Sequence, residues 1–281
     1  MRARSTYSAN SSRSTRSRTP TTSGSKSINT KPANRQAKEV TIDLGELYLT
    51  DLTMKIDREE NIFLAGFFSH QSTDEIIGTC FFRINSQLEE EVRSSQRFSD
   101  EFLVNFLRDK QIERGRELQN FYLDNIILRS DGGVLLIAEK FYTTFNSYVD
   151  VYGYWVDQKI YHYDEVIVNS VSANGDLEWS AVVPKRQQSE RRDQLSYIDV
   201  VSGTNVYLIY GYQPRKEPRT LYVNSVDFDG KVAEREALIS KTTFDDSFFP
   251  RYSEQISNTE ALIVYEQERD KIFSIVKVAF D

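Results

Sequence analysis

A unit of four strand-like segments recurs along this chain, and that recurrence restricts the fold more than any local motif does. YLTDLTMKID begins at Tyr48, YLDNIILRSD at Tyr122, YIDVVSGTNVYLIYGY at Tyr197 and YSEQISNTEALIVYEQ at Tyr252, at spacings of 74, 75 and 55 residues. The first two copies are followed by an aliphatic run, NIFLAGFF or GVLLIAEKF. A hairpin pattern comes next in each unit: CFFRINSQLEEEV, VIVNSVSANGDLEW and YVNSVDFDGKVAE, with FSIVKVAFD standing for one strand at the end. Each unit therefore reads as strand, turn, strand, longer loop, strand, turn, strand.

The runs are rich in β-branched and aromatic residues and are bounded by Asn, Gly, Asp and Ser, so the expected class is all-β. Strands are expected at Leu52 to Lys55, Ile62 to Phe68, Cys80 to Ile84, Ile126 to Leu128, Val134 to Ala138 and Val166 to Val171. Others fall at Glu178 to Val183, Val206 to Tyr210, Leu221 to Val226, Ala261 to Tyr265 and Phe273 to Val278. One helix is predicted over Ser99 to Arg114, where Phe102, Leu103, Phe106 and Leu107 recur at helical spacing behind a Ser-Asp start. A four-strand period is the signature of a β-propeller, whereas a β-sandwich gives no reason for one. The expectation is a propeller-like domain over residues 40–281 with about four blades. Val40 to Leu44 would supply the fourth blade's missing outer strand and close the ring.

Before this body lies a segment, residues 1–39, dense in Ser, Thr and Arg and poor in large aliphatic residues. It is expected to be disordered, because it cannot bury enough surface to offset its ordering entropy. Its functional readings are a transit-type segment, an arm for nucleic acid or an anionic surface, a phosphorylatable tail, or a plain solvated leader. No apolar run follows the basic start, so no secretory signal is read there. Nine of the 35 basic residues stand in the first 38 positions, so the other 26 face all 42 acids and the body carries a net charge near −16. An acidic body is a poor surface for a polyphosphate backbone, which leaves nucleic acid to the tail alone. The single cysteine, Cys80, excludes an internal disulfide and a thiolate metal site. No run approaches the ~18 apolar residues of a membrane-spanning helix.

Tyr163 to Gln187, Asp124 to Tyr142 and the third unit's VNSVDFDGKV resemble a large family of uncharacterised exported bacterial proteins with propeller-like repeats. The shared motifs are an Asp-Gly-Gly turn, an aliphatic strand ending in Glu, and a hairpin ending in Pro-Lys-x-Gln. The resemblance implies the cell envelope or exterior and brings no activity with it.

Two groups of residues invite chemistry. The insertion FYTTFNSYVDVYGYWVDQKIYHYDE (141–165) carries Tyr148, Tyr152, Tyr154, Trp155 and Tyr161, rings with a large contact area and a polar handle that would suit a protein or glycan partner. The bland reading is a long hairpin extending two strands, its rings stacked across the sheet. Glu139 and Glu266 end strands in units two and four, where units one and three carry Gly66 and Gly211. Converging carboxylates can act as general acid and base, although a Glu at a strand end more often accepts hydrogen bonds from backbone or Arg. Asp227-Phe228-Asp229-Gly230, Asn174-Gly175-Asp176 and Asp131-Gly132-Gly133 are too short for calcium loops and read as hairpin turns. His70 and His162 have no second ligand nearby. The sequence alone favours a non-enzymatic binding or scaffolding propeller with no cofactor and no metal. The alternative is a hydrolase or lyase working through Glu139 and Glu266.

Overall fold

The structure, a computed structural model, describes residues 38–72, 74–212, 220–238, 246–267 and 272–280. Residues 1–37 of the basic tail lie outside them. Val40–Asp281 form one compact unit.

The chain is all-β, as the short aromatic and β-branched runs require. The first sheet is an antiparallel meander of β1 (Tyr48–Ile56), β2 (Ile62–Ser69), β4 (Gly78–Ile84) and β5 (Glu90–Arg97). A two-residue β3 (Glu75–Ile76) pairs instead with β6 (Leu118–Gln119). The second sheet orders β7 (Phe121–Leu128), β8 (Val134–Val149), β9 (Trp155–Val171) and β10 (Leu177–Val183), and β11 (Gln187–Ser189) adds to β9 beside Tyr163. The third contains β12 (Tyr197–Ser202), β13 (Asn205–Tyr212), β14 (Thr220–Val226) and β15 (Glu236–Ala237). In the fourth, β16 (Asp246–Phe248) and β17 (Glu254–Gln255) both pair with β18 (Glu260–Gln267), which pairs with β19 (Ile272–Ala279).

Three apolar cores join these sheets in chain order. Phe67 and Phe81 of the first sheet share one core with Ile126, Leu136 and Ile167 of the second. Ile137, Val168 and Ala181 share the next with Leu208, Tyr210 and Val226 of the third. Ile209 and Leu221 meet Phe248, Ala261 and Ile263 in the last. Neighbouring residues of one strand thus serve different cores: Leu136 and Ile137, or Leu208 and Ile209, point to opposite faces because side chains alternate along a strand. That double burial explains why VLLIA and VYLIY are unbroken apolar runs rather than alternating ones.

Two sequence expectations need correction. Residues 99–114 form two short helices, α1 (Asp100–Leu103) and α2 (Asp109–Glu113), not one. Ser99 caps the first through its Oγ, which accepts from the Phe102 N–H at 3.2 Å. Asn105 then turns its amide back onto the Phe102 carbonyl at 2.8 Å, and Arg108 takes an extended conformation that ends the run. Val40 to Leu44 form no strand and do not extend the fourth sheet. Ile42 and Leu44 pack on the first core, and Arg93 donates to the Asp43 carbonyl at 2.6 Å. Apolar contact with the first sheet, rather than ladder bonds to the fourth, settles where that segment lies.

The Asp-Gly turns are hairpin turns as expected. Asp227 Oδ1 accepts from the Asp229 and Lys231 N–H groups at 3.0 and 2.9 Å, and Gly230 takes a φ of 80°. A Cβ on Gly230 would stand 2.6 Å from the Trp179 ring, so glycine is needed for conformation and for space. Cys80 is buried, and burial pushes its thiol up to about 12.

Candidate functional site

The first strands of the first three sheets, and β17 of the fourth, are tied by side chains. Asp51 accepts from the Leu123 N–H at 2.8 Å, Asn125 donates to Asp199 at 2.9 Å, and the amide of Gln255 bridges Val201 O and N at 2.7 and 2.9 Å. A cleft of about 510 Å³ opens beside these strands. Its walls include Tyr122, Asp124, Glu139, Phe141, Tyr163, Arg192, Ser196, Tyr197 and Arg251.

Asp124 reaches the cleft through an irregularity in the ladder. The pairing of β7 with β8 slips between Leu123 and Asn125, leaving Asp124 as the extra residue of a bulge. Bulges re-aim side chains and concentrate beside active sites. The Tyr197 hydroxyl donates to Asp124 Oδ2 at 2.8 Å. Desolvation within the crowded cleft, reinforced by Glu139, raises the Asp124 carboxyl to about 7. Asp124 is nonetheless one of the exposed residues of β7.

Glu139 lies opposite Tyr122 and is only 2% exposed. Lys185, 3% exposed, forms an ion pair with it, and Ser196 Oγ donates to it at 2.5 Å. Lys185 also donates to Tyr163 O at 3.0 Å and to Gln187 Oε1 at 2.7 Å. Burial pushes the Glu139 carboxyl up and the Lys185 ammonium down, and their contact opposes both shifts. Burial, together with Asp124, holds the Tyr197 phenol well above its usual range, so it stays a hydrogen donor.

The structure separates the two carboxylates suggested by sequence. Glu139 is in the cleft wall. Glu266 is bound by Arg191, 3.7 Å away, and lies outside that wall. The carboxyl that accompanies Glu139 is Asp124. The expected equivalence of Glu139 with Gly66 and Gly211 also fails in the register. The residue facing Tyr48 is Ser69 and the one facing Tyr197 is Tyr210, while Gly66 faces Leu52.

The aromatic insertion is the long hairpin of the bland reading, with β8 and β9 running together out to Val149 and Trp155. Its tip rings are not packed. Tyr152 is 83% exposed, Trp155 76%, Tyr154 70% and Tyr148 44%. Phe141, Phe145, Trp155, Tyr161 and Tyr163 share one face of the ribbon by register. At its root Phe141 lies 4.7 Å from Tyr163 and 6.5 Å from Tyr161, centroid to centroid, so this aromatic face starts inside the cleft.

Sequence reasoning missed Asp124, Lys185, Arg192, Ser196, Tyr197 and Arg251. Two signals for them were present. Asp124 stands in the Tyr122 repeat where the Tyr48 repeat has Thr50. The Pro-Lys-x-Gln ending, read as structural, supplies both Lys185 and its acceptor Gln187.

No family model matches the chain, and no curated protein matches it. Among solved structures it is similar to one described as a putative exo-β-1,3-galactanase from Bifidobacterium bifidum, with 8% identity over 83% of this chain and 89% of that one and a TM-score of 0.28. It is similar also to an endo-arabinase from Bacteroides thetaiotaomicron, with 8% identity over 83% and 94% of the two chains and a TM-score of 0.22. Both are described as enzymes, and the concave site here holds titratable groups in perturbed environments. The expectation of a non-enzymatic binding or scaffolding propeller is corrected on the two carboxyls that share the cleft, Asp124 and Glu139. A likeness at these TM-scores carries no argument about mechanism, so the reaction has to be argued from the residues of the cleft.

Proposed function

We propose that this chain is a glycoside hydrolase whose four sheets are blades of a propeller-like arc, with Asp124 as general acid and Glu139 as the second carboxylate. The observation that carries the reading is the pairing of two carboxyls in one cleft with opposite environments. Asp124 is reachable and holds its proton close to neutral pH, whereas Glu139 is buried against a lysine. Glycosidic cleavage needs that division of labour between a proton donor and a carboxylate. Asp124 gives its proton to the glycosidic oxygen as the C–O bond breaks, water adds to the anomeric carbon, and Glu139 takes up the water's proton. Tyr197 and Ser196 hold the two carboxyls in place. The arc reading rests on the consecutive cores and on the side-chain ties among β1, β7, β12 and β17.

The ring face running from Tyr163 and Phe141 through Tyr161 to Trp155 is proposed as the platform on which sugar units beyond the cleft stack. Tyr148, Tyr152 and Tyr154 complete the tip.

The test is release of reducing ends from arabinan, galactan and galacturonan. Asp124→Asn is expected to lower kcat by about 10²–10⁴-fold, the usual contribution of a positioned proton donor. The wild-type rate should fall as pH rises through about 7, the value to which Asp124 is raised, and that limb should be absent from the variant. Unchanged turnover in Asp124→Asn, or no cleavage of any of the three glycans, overturns the assignment.

A further inference from the structure

We propose that Arg192 and Arg251 form an anion subsite at the basic end of the cleft, and that the glycan taken by this site carries a singly charged oxyanion, a uronate carboxylate or a sulfate ester. The inference rests on the hydrolase reading for its glycan and on its own geometry for the charge.

Two short turns of 3-10 helix, Arg192–Gln194 and Pro250–Tyr252, pack against each other and bring the two arginines to one wall. Adjacent arginines on the first turn are used differently. Arg191 is occupied by acidic partners of the same chain: it pairs with Asp193 at 3.2 Å and Glu266 at 3.7 Å and lies 5.7 Å from the Phe249 ring. Arg192 has no acidic partner among the described residues. It donates only its Nε, to the Tyr163 hydroxyl at 2.7 Å, while its guanidinium rests 5.1 Å from the Phe141 ring centre. That arrangement fixes the plane of the group and leaves the Nη edge unengaged, the edge that grips an oxyanion through two parallel hydrogen bonds. Arg251 lines the same cleft and is likewise without an acidic partner among the described residues.

Charge bears on the choice of ligand. The body carries a net charge near −16, which works against any anionic ligand at long range. Two guanidiniums unpaired with acid in one cleft offset that repulsion locally. The cleft wall also holds Asp124 and Glu139, so each further negative charge on the ligand adds repulsion, which favours a singly charged group.

The experiment is calorimetric titration of the full chain with a galacturonate pentamer, its fully methyl-esterified counterpart and a sulfated galactan oligomer. Wild type should bind at least one anionic oligomer about 10- to 100-fold more tightly than the neutral ester, the range expected for charge-assisted hydrogen bonds. The preference should weaken with added salt. Arg192→Gln/Arg251→Gln should lose that preference and bind charged and neutral oligomers about equally. Which anionic oligomer binds identifies the oxyanion. Equal affinity for charged and neutral oligomers in wild type, or a preference that survives in the double variant, overturns the subsite. Asp124→Asn separates the two readings. Anion preference without hydrolysis in any variant retains the subsite and removes the hydrolase, and hydrolysis without anion preference does the reverse.

Discussion

Replacing Lys185 by Met isolates what holds the floor of the site. The ammonium is 3% exposed, pairs with a 2% exposed carboxylate, and donates to Tyr163 O and Gln187 Oε1. Methionine keeps the volume and removes the charge, so Glu139 is left buried with Ser196 as its remaining partner. Breaking a buried pair from one side costs about 3–5 kcal/mol, because the uncompensated charge stays behind. In a body of this size each kcal/mol corresponds to about 2–4 °C, so a fall in Tm of about 6–20 °C is expected. The deficit should depend on pH. Without lysine the folded Glu139 carboxyl rises further above its unfolded value, so stability is retained at low pH and lost as pH climbs. Urea unfolding at about pH 5 and about pH 8 should show the larger deficit at the higher pH. Adding Glu139→Gln to Lys185→Met should recover much of the loss, since the orphaned charge is then gone. A Lys185→Met protein within about 1 kcal/mol of wild type at both pH values, or a double variant whose loss equals the sum of the singles, would refute the reasoning.

Other perturbations have definite expected outcomes. Asp124 has its folded pKa raised to about 7 from 3.8, so its stabilising contribution is full below about pH 4 and is lost as pH rises through 7; Asp124→Asn should flatten that part of a stability-against-pH curve. Gly230→Ala places a Cβ 2.6 Å from the Trp179 ring at a φ of 80°, and denaturant unfolding should show a loss of about 1–3 kcal/mol. Combined alanine substitution of Tyr152, Tyr154 and Trp155, all at least 70% exposed, should leave Tm nearly unchanged while raising KM for long glycans more than for short ones. Unfolding of that triple variant would show the tip rings to be packed.

Much of the architecture was legible because the physics behind it is local. Alternation and aliphatic runs located the strands, and Asp-Gly pairs located turns such as Gly230, where positive φ admits little else. The broken helix was less legible: Phe102, Leu103, Phe106 and Leu107 keep helical spacing, but Asn105 competes for the backbone and Arg108 leaves the helical conformation. Val40 to Leu44 were misplaced because a short apolar segment fits a sheet edge and a core face equally well in sequence, and contact with the first core decides. The site was least legible. Asp124 acts through a ladder slip that no composition announces, and Lys185 meets Glu139 only when a segment after β10 folds back along β9. Glu139 was visible as a strand-end carboxylate, but its partner could not be chosen from sequence. Glu266 has the same local look and is occupied by Arg191 instead.

The central claim is that the cleft holds a carboxylic acid poised near neutrality beside a second, buried carboxylate. Carbon-detected NMR titration of the Asp124 carboxyl in the full chain tests it most directly. The account expects a midpoint near 7 in the wild type, shifted down in Glu139→Gln as the neighbouring negative charge is removed. A wild-type midpoint close to the ordinary aspartate value of about 3.9, indifferent to Glu139→Gln, would contradict it.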